Sequence, residues 1–261
     1  MAKARAGHTR ADPHPRKGSG LVSVDGSILE YTHKMAGHLW EASRLDGLEG
    51  LVESGRAPAR LLWRIEKVMR LFDDFVRYVL GKCRKKGLTI SCRLECDHCC
   101  YQMPSGLSAM EILFLYNGIR ESDDSWRFFK RCLESQESWA ENMRICGNNG
   151  AKRPKSDEAL MMFHVKRNPC PLLRDSLCQA YPFRPFPCRG HFAVTPRHWC
   201  DPAHFQFPYA RAMNVIPGQA FHEAMRQLNE RLNLGVSDVL ACGLLEFTVN
   251  VMRFERIQWI S

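Results

Sequence analysis

Between Asn168 and Cys200 the chain reads NPCPLLRDSLCQAYPFRPFPCRGHFAVTPRHWC, with six prolines and four cysteines. Prolines at this density exclude regular helix and break sheet ladders, so local hydrogen bonding is not expected to hold the stretch in one shape. Something else must, and Cys170, Cys178, Cys188 and Cys200 are the candidates. A second concentration lies upstream in CRLECDHCC, where Cys92, Cys96, Cys99 and Cys100 put four thiols into nine residues.

What those thiols do depends on the compartment. No apolar run approaches the ~18 residues a membrane helix needs, the longest being ILFLY, and the start of the chain lacks the apolar core of a signal peptide. The expected location is therefore cytoplasmic, where thiols stay reduced and clustered cysteines point to metal or catalysis more than to disulfides. The chain holds twelve cysteines.

Outside these two segments the pattern is helical. From Pro58 to Leu80 apolar residues recur at Leu61, Leu62, Ile65, Val68, Met69, Phe72, Phe75, Val76 and Val79, one face of a helix. A weaker pattern runs from Ile28 to Val52, interrupted by glycines. Ser108 and Glu111 stand at capping-box spacing ahead of a helix to about Gly118, and another helix is expected from Asp123 to Ile145 with Ser122 as cap. CGNNGAKRPKSD reads as a loop. GQAFHEAMRQLNERLNL and SDVLACGLLEFTVNVMRF read as two helices split near Gly235.

With 261 residues, 45% of them apolar, the chain can bury one sizeable core. The expected fold is mainly α, a helical domain framing a proline- and cysteine-rich, metal-stapled loop core with at most short β segments. Residues 1–27 are expected as a basic flexible tail and residues 28–261 as a single domain with its metal-binding core at 92–200. The net charge of +9 favours anionic partners. Five Lys/Arg and one Asp of the first twenty residues contribute +4 of it, and a loose basic tail is ordinarily just solvated, so no nucleic-acid role is assigned.

Cys96-x2-Cys99 is the spacing at which a tight turn points two thiolates at one metal, and Cys92 is placed to close on the same site. With the distal four, the eight cysteines suit two tetrahedral sites, or one cluster plus one structural metal, with ligands shared across both groups. Consecutive side chains usually diverge, so Cys99 and Cys100 are expected to serve different sites, or one of them is free or bridging. Cys83, Cys132, Cys146 and Cys242 read as buried small hydrophobes. Zinc sites commonly carry two CxxC knuckles and this chain has one, while Pro171 after Cys170 is similar to the Cys-Pro ending of ferredoxin cluster loops, so iron–sulfur is favoured over zinc. His98, His191, His198 and His204 are candidates to replace a thiolate.

These motifs resemble the YkgJ-like CxxCxxCC family, described as a zinc- or iron-chelating domain. The likeness lies in CRLECDHCC, in LSAMEIL after it, and most specifically in NPCPLLRDSLCQAYPFRPFPCRG, where Tyr181, Arg184, Pro185, Cys188 and Arg189 fall on the family signature. It spans about Cys92 to Cys200, with three residues, against the family's two, between Cys92 and Cys96. The resemblance implies a cysteine-ligated metal or iron–sulfur centre in a small cytoplasmic protein. Because the family includes flagellin lysine N-methylase-like proteins, it also implies a possible link to S-adenosylmethionine and a protein or peptide substrate.

A second resemblance is to radical S-adenosylmethionine enzymes, since LTISCRLECDHC reads as a short strand running into Cys-x3-Cys-x2-Cys, three thiolates for a 4Fe-4S cluster with one iron left open. Those enzymes continue into repeated strand–helix units and this chain does not.

Arg93, Arg184 and Arg189 adjoin ligand cysteines, where a guanidinium can donate to sulfur, shift a reduction potential or pair with a ligand carboxylate. Arg184 and Arg189 are the cofactor-binding candidates. Tyr181 is a candidate proton donor or a packing aromatic. No P-loop, dinucleotide fingerprint or HExxH is present. The sequence reading is thus a protein binding one or two iron–sulfur clusters through Cys92, Cys96, Cys99, Cys100, Cys170, Cys178, Cys188 and Cys200, with a redox or protein-modifying role and a protein substrate or redox partner. The alternatives are a zinc-stabilised interaction module without catalysis and an S-adenosylmethionine-dependent methylase or radical-type enzyme.

Overall fold

The structure, a computed structural model, describes residues 24–93, 95–122, 124–147 and 155–261. Most of the expected basic tail (1–23) and the middle of the expected Gly/Asn/Lys loop (148–154) lie outside the described residues.

Helix α1 (Gly26–Ser43) starts at Asp25, whose carboxylate accepts the Ile28 N–H at 3.0 Å. The other Asp25 oxygen accepts the Tyr78 hydroxyl at 2.8 Å and pairs with Lys82, both on α3 (Ala59–Lys85). One capping residue therefore also docks α1 on the longest helix. α3 buries Leu61, Ile65, Val68, Met69, Phe72, Phe75, Val76 and Val79, the face its periodicity marked. The short α2 (Gly50–Ser54) and β1 (Arg56–Pro58) lie between them, and β1 pairs in parallel with β6 (Gln258–Ile260).

Helix α4 (Ala109–Arg120) opens with both halves of the capping box: the Glu111 N–H donates to Ser108 Oγ at 3.2 Å and the Ser108 N–H to Glu111 Oε2 at 2.8 Å. Met110, Ile112, Leu113, Phe114, Leu115, Tyr116 and Ile119 are all buried, so α4 is apolar nearly all round and must sit in the interior. It contacts α3, α5 (Ser125–Gly147), α8 (Gln219–Leu232) and α9 (Leu240–Glu246). α1, α3 and α8 pack on one side, and α5, α9 and α6 (Lys155–Val165) on the other. After α9 the chain makes a π-helical turn over Phe247–Val251.

The fold is mainly α, as expected, with nine α-helices and short two-stranded pairings among the described residues. None of these helices is long and apolar enough to cross a membrane. Three details differ from the sequence reading. α6 lies where none was expected. The LTISC segment expected as a strand is not one.

The proline-rich stretch, expected to lack regular structure, contains α7 (Phe186–Gly190) and two strand pairings: β2 (Leu173–Arg174) with β3 (Leu177–Cys178), and β4 (His191–Ala193) with β5 (Ala212–Asn214). The prolines permit this because Pro185 is the extended N-cap of α7 and Pro187 lies in its first turn, where a backbone N–H has no intrahelical partner to lose. The β2–β3 turn is the two residues Asp175 and Ser176, at φ 51° and 58°, as a tight hairpin of right-handed twist requires.

Candidate metal centre

The proximal thiols sit on a loop pinned at both ends. The Ser91 N–H donates to the Ala193 carbonyl at 2.9 Å, and the Ala193 N–H donates to Cys92 Sγ at 3.1 Å, which lays the start of the motif along β4. Glu95, at φ 64°, turns the chain between Cys92 and Cys96. A 3-10 turn over His98–Tyr101 then carries Cys99 and Cys100, closed by the Cys100 N–H on the Asp97 carbonyl at 2.7 Å.

The distal segment is tied to this loop directly. The Cys170 N–H donates to the Cys100 carbonyl at 2.6 Å, and the Ser176 hydroxyl to Asp97 at 2.9 Å. The Leu172 and Ala180 backbone N–H groups are directed at Cys170 and Cys178. Such N–H donors two residues beyond a cysteine suit a sulfur that carries thiolate charge. Cys188 stands on α7, and α7 is placed from both ends. The Phe186 N–H donates to Glu111 Oε1 at 2.6 Å. Arg189, buried, donates to both Asp73 oxygens at 2.9 and 2.7 Å, to the Arg184 carbonyl at 2.5 Å and to the Pro182 carbonyl.

Arg189, expected as a cofactor-binding residue, lines the same cavity as the cysteines, and its donors are largely occupied by protein acceptors, so it also braces the loop. The expectation that metal alone staples the stretch is corrected on the same ground, since backbone pairing, Glu111 and Arg189 already hold it.

Cys92, Cys96, Cys99, Cys100, Cys170, Cys178 and Cys188 all line one cavity of about 1560 Å³. All twelve cysteines are free thiols. Within the cavity they fall into two neighbourhoods. Cys200, which does not line the cavity, shares an electrostatic environment with Cys92, Cys96 and Cys99. Cys100, Cys170 and Cys188 share another, joined by Cys178. Cys99 acts on both, so the adjacent Cys99 and Cys100 straddle the division between them.

Among the described residues, no three Cys, His, Asp or Glu side chains converge on a point as ligands of one ion would. Seven of the thiols instead share the wall of one cavity.

Burial holds most of these thiols protonated. It pushes Cys170 up to about 12 and Cys200 up to about 11, and raises Cys188 well above the ordinary thiol range. Cys99 is the exception: a hydrogen bond with Cys100 lowers it to about 7. The same bond, together with burial, makes Cys100 keep its proton. Metal binding at such thiols must displace protons.

The histidines expected as substitute ligands are less central. His191 Nδ1 meets Asn214 Oδ1 at 2.7 Å, and the His198 and His204 rings lie 4.8 Å apart next to Cys200 in sequence. His98 opens the 3-10 turn. His164, which sequence reasoning passed over, is 3% exposed, bonds Gln102 Nε2 through Nδ1 at 3.1 Å, and lies against the Cys200 backbone. Cys83, Cys132, Cys146 and Cys242 are buried in the core, as expected. Tyr181 is 54% exposed, with the Arg184 guanidinium 3.7 Å from its ring centre. Beyond the thiols the cavity runs past Glu111, Phe72 and Phe186 to Phe221, Met225 and Asn229 on α8. Compared with known families, curated proteins and solved structures, the chain matches none.

Proposed function

We propose that this protein binds a polynuclear, cysteine-ligated centre, an iron–sulfur cluster in preference to a single zinc ion, and serves a redox or protein-modifying role. The observation that carries this is the meeting of seven thiols, from two segments some seventy or more residues apart in sequence, on the wall of one cavity. Seven thiols spread along one cavity wall suit a cluster with several metal atoms better than one tetrahedral ion, whose four ligands sit about 2.3 Å from a common point. Directed backbone N–H groups at Cys92, Cys170 and Cys178 favour the thiolate form that ligation needs.

When bound, such a cluster would supply one-electron transfer or an open metal site. The chain's own part is to gather the thiols, to shield them with Phe72, Phe186 and Leu172, and to leave room beside them for a second molecule. That room favours a ligand-binding or enzymatic role over a zinc-stabilised interaction module. Its occupant in the methylase or radical-enzyme reading would be S-adenosylmethionine.

Anaerobic purification tests the proposal. A brown protein containing iron and acid-labile sulfide in several-fold excess over chain supports it, and a colourless protein with about two zinc per chain overturns the iron–sulfur reading. Addition of S-adenosylmethionine to the reduced protein, followed by electron paramagnetic resonance, decides the methylase and radical alternatives: an unchanged spectrum and no binding remove both.

A further inference from the structure

Arg184 and Arg189 flank the same ligand, Cys188, and have opposite surroundings. Arg189 is enclosed, with Asp73 and two carbonyls as acceptors. The Arg184 guanidinium lines the cavity and has no carboxylate or other hydrogen-bond partner among the described residues. Its Nε is buried with no acceptor in reach. The guanidinium lies 3.7 Å from the centre of the Tyr181 ring, and such contact over an aromatic face fixes the orientation of the group. A buried donor without an acceptor is costly, and in a native structure it calls for a partner that the protein itself does not supply.

We infer that Arg184 is the counter-ion of the thiolate centre, a positioning residue that stays on Tyr181 and presents a fixed positive charge to the cavity that Cys99, Cys178 and Cys188 line. A centre with several thiolates carries net negative charge, and reduction adds one more. A fixed cation beside it stabilises the reduced form more than the oxidised one. This inference rests on the proposed metal centre and adds the residue that sets its charge balance.

The test compares wild type, Arg184→Met and Arg184→Lys as full chains purified without oxygen, reading iron content and midpoint potential by redox titration. Arg184→Met is expected to load iron and to shift to lower potential by at least a tenfold change in the oxidised-to-reduced ratio, 59 mV for one electron. Arg184→Lys keeps the charge and should recover most of that shift. A loaded Met variant at the wild-type potential overturns the inference while leaving the cluster intact. Should the Met variant fail to load, the Lys variant carries the test: loading with a potential within that interval supports the counter-ion role, and failure to load at wild-type stability overturns it.

If the wild type proves colourless and holds zinc, the iron–sulfur reading falls and Arg184 is read by competition with a chromophoric chelator. At least tenfold weaker zinc binding in the Met variant then supports the inference, and equal affinity overturns it. A wild type that binds neither metal overturns both.

Discussion

Glu111 joins two motifs far apart in sequence: the carboxylate that completes the cap of α4 also accepts the Phe186 N–H at 2.6 Å and so holds the helix that carries Cys188. It is buried, and burial raises its pKa against three accepted hydrogen bonds. Glu111→Ala is expected to destabilise the protein by more than about 2 kcal/mol, because a cap is lost and buried N–H groups are left without acceptors. Glu111→Gln, which keeps one acceptor oxygen, should cost less. Denaturant midpoints for the pair check this, and an Ala variant with the wild-type midpoint contradicts it.

Gly190 follows Arg189 where backbones nearly touch. A Cβ there would stand 2.7 Å from the Val215 carbonyl oxygen, a backbone atom that cannot step aside without opening the β4–β5 edge. Gly190→Ala is expected to cost about 1–3 kcal/mol by overpacking. Because β4 supplies the N–H that reaches Cys92, it should also lower metal content. A variant with wild-type melting temperature and metal load contradicts the account.

The thiol neighbourhoods predict a pattern in Cys→Ser variants. Loss of Cys178 should reduce the metal load sharply yet leave the melting temperature of the metal-free protein nearly unchanged, since Arg189, Glu111 and the two strand pairings hold the loop. Cys99→Ser should reduce the load more than Cys200→Ser, as Cys99 acts on both groups. Metal analysis and calorimetry on the three variants decide, and equal losses at Cys99 and Cys200 count against a shared position for Cys99.

His164 supplies a pH dependence. Burial pushes it down to about 4. Its folded value lies below the unfolded one of about 6.5, so between these values the unfolded chain binds more protons and stability rises with pH. The contribution is present above about pH 6.5 and is lost as pH falls toward 4, on the order of 3 kcal/mol in all. Unfolding free energy measured from pH 7 to 4 should decline across this window in wild type and less in His164→Leu. Parallel curves contradict it.

The helices were legible because apolar spacing and caps are local signals, as the Ser108–Glu111 box and the α3 stripe illustrate. α6 had a local signal too, Asp157 and Glu158 in its first turn, which the surrounding Gly, Asn, Lys and Pro obscured. Of the eight cysteines singled out by spacing, seven line one cavity and Cys200 does not. The different surroundings of Arg184 and Arg189 were not legible, because both lie near Cys188 while Asp73, the partner of Arg189 alone, lies 116 positions from it. His164 offered no pattern at all: a single histidine on an unremarked helix is recognised only by its burial.

The bond from the Cys170 N–H to the Cys100 carbonyl bears on kinetics as well as on shape. It fixes the spacing of the two cysteine segments through main-chain atoms, which stay in place whatever the sulfurs hold. For the proposed metal centre, a pocket ordered in this way would exchange metal without passing through the unfolded chain, so exchange should be governed by thiol deprotonation and access along the cavity, with global unfolding contributing little.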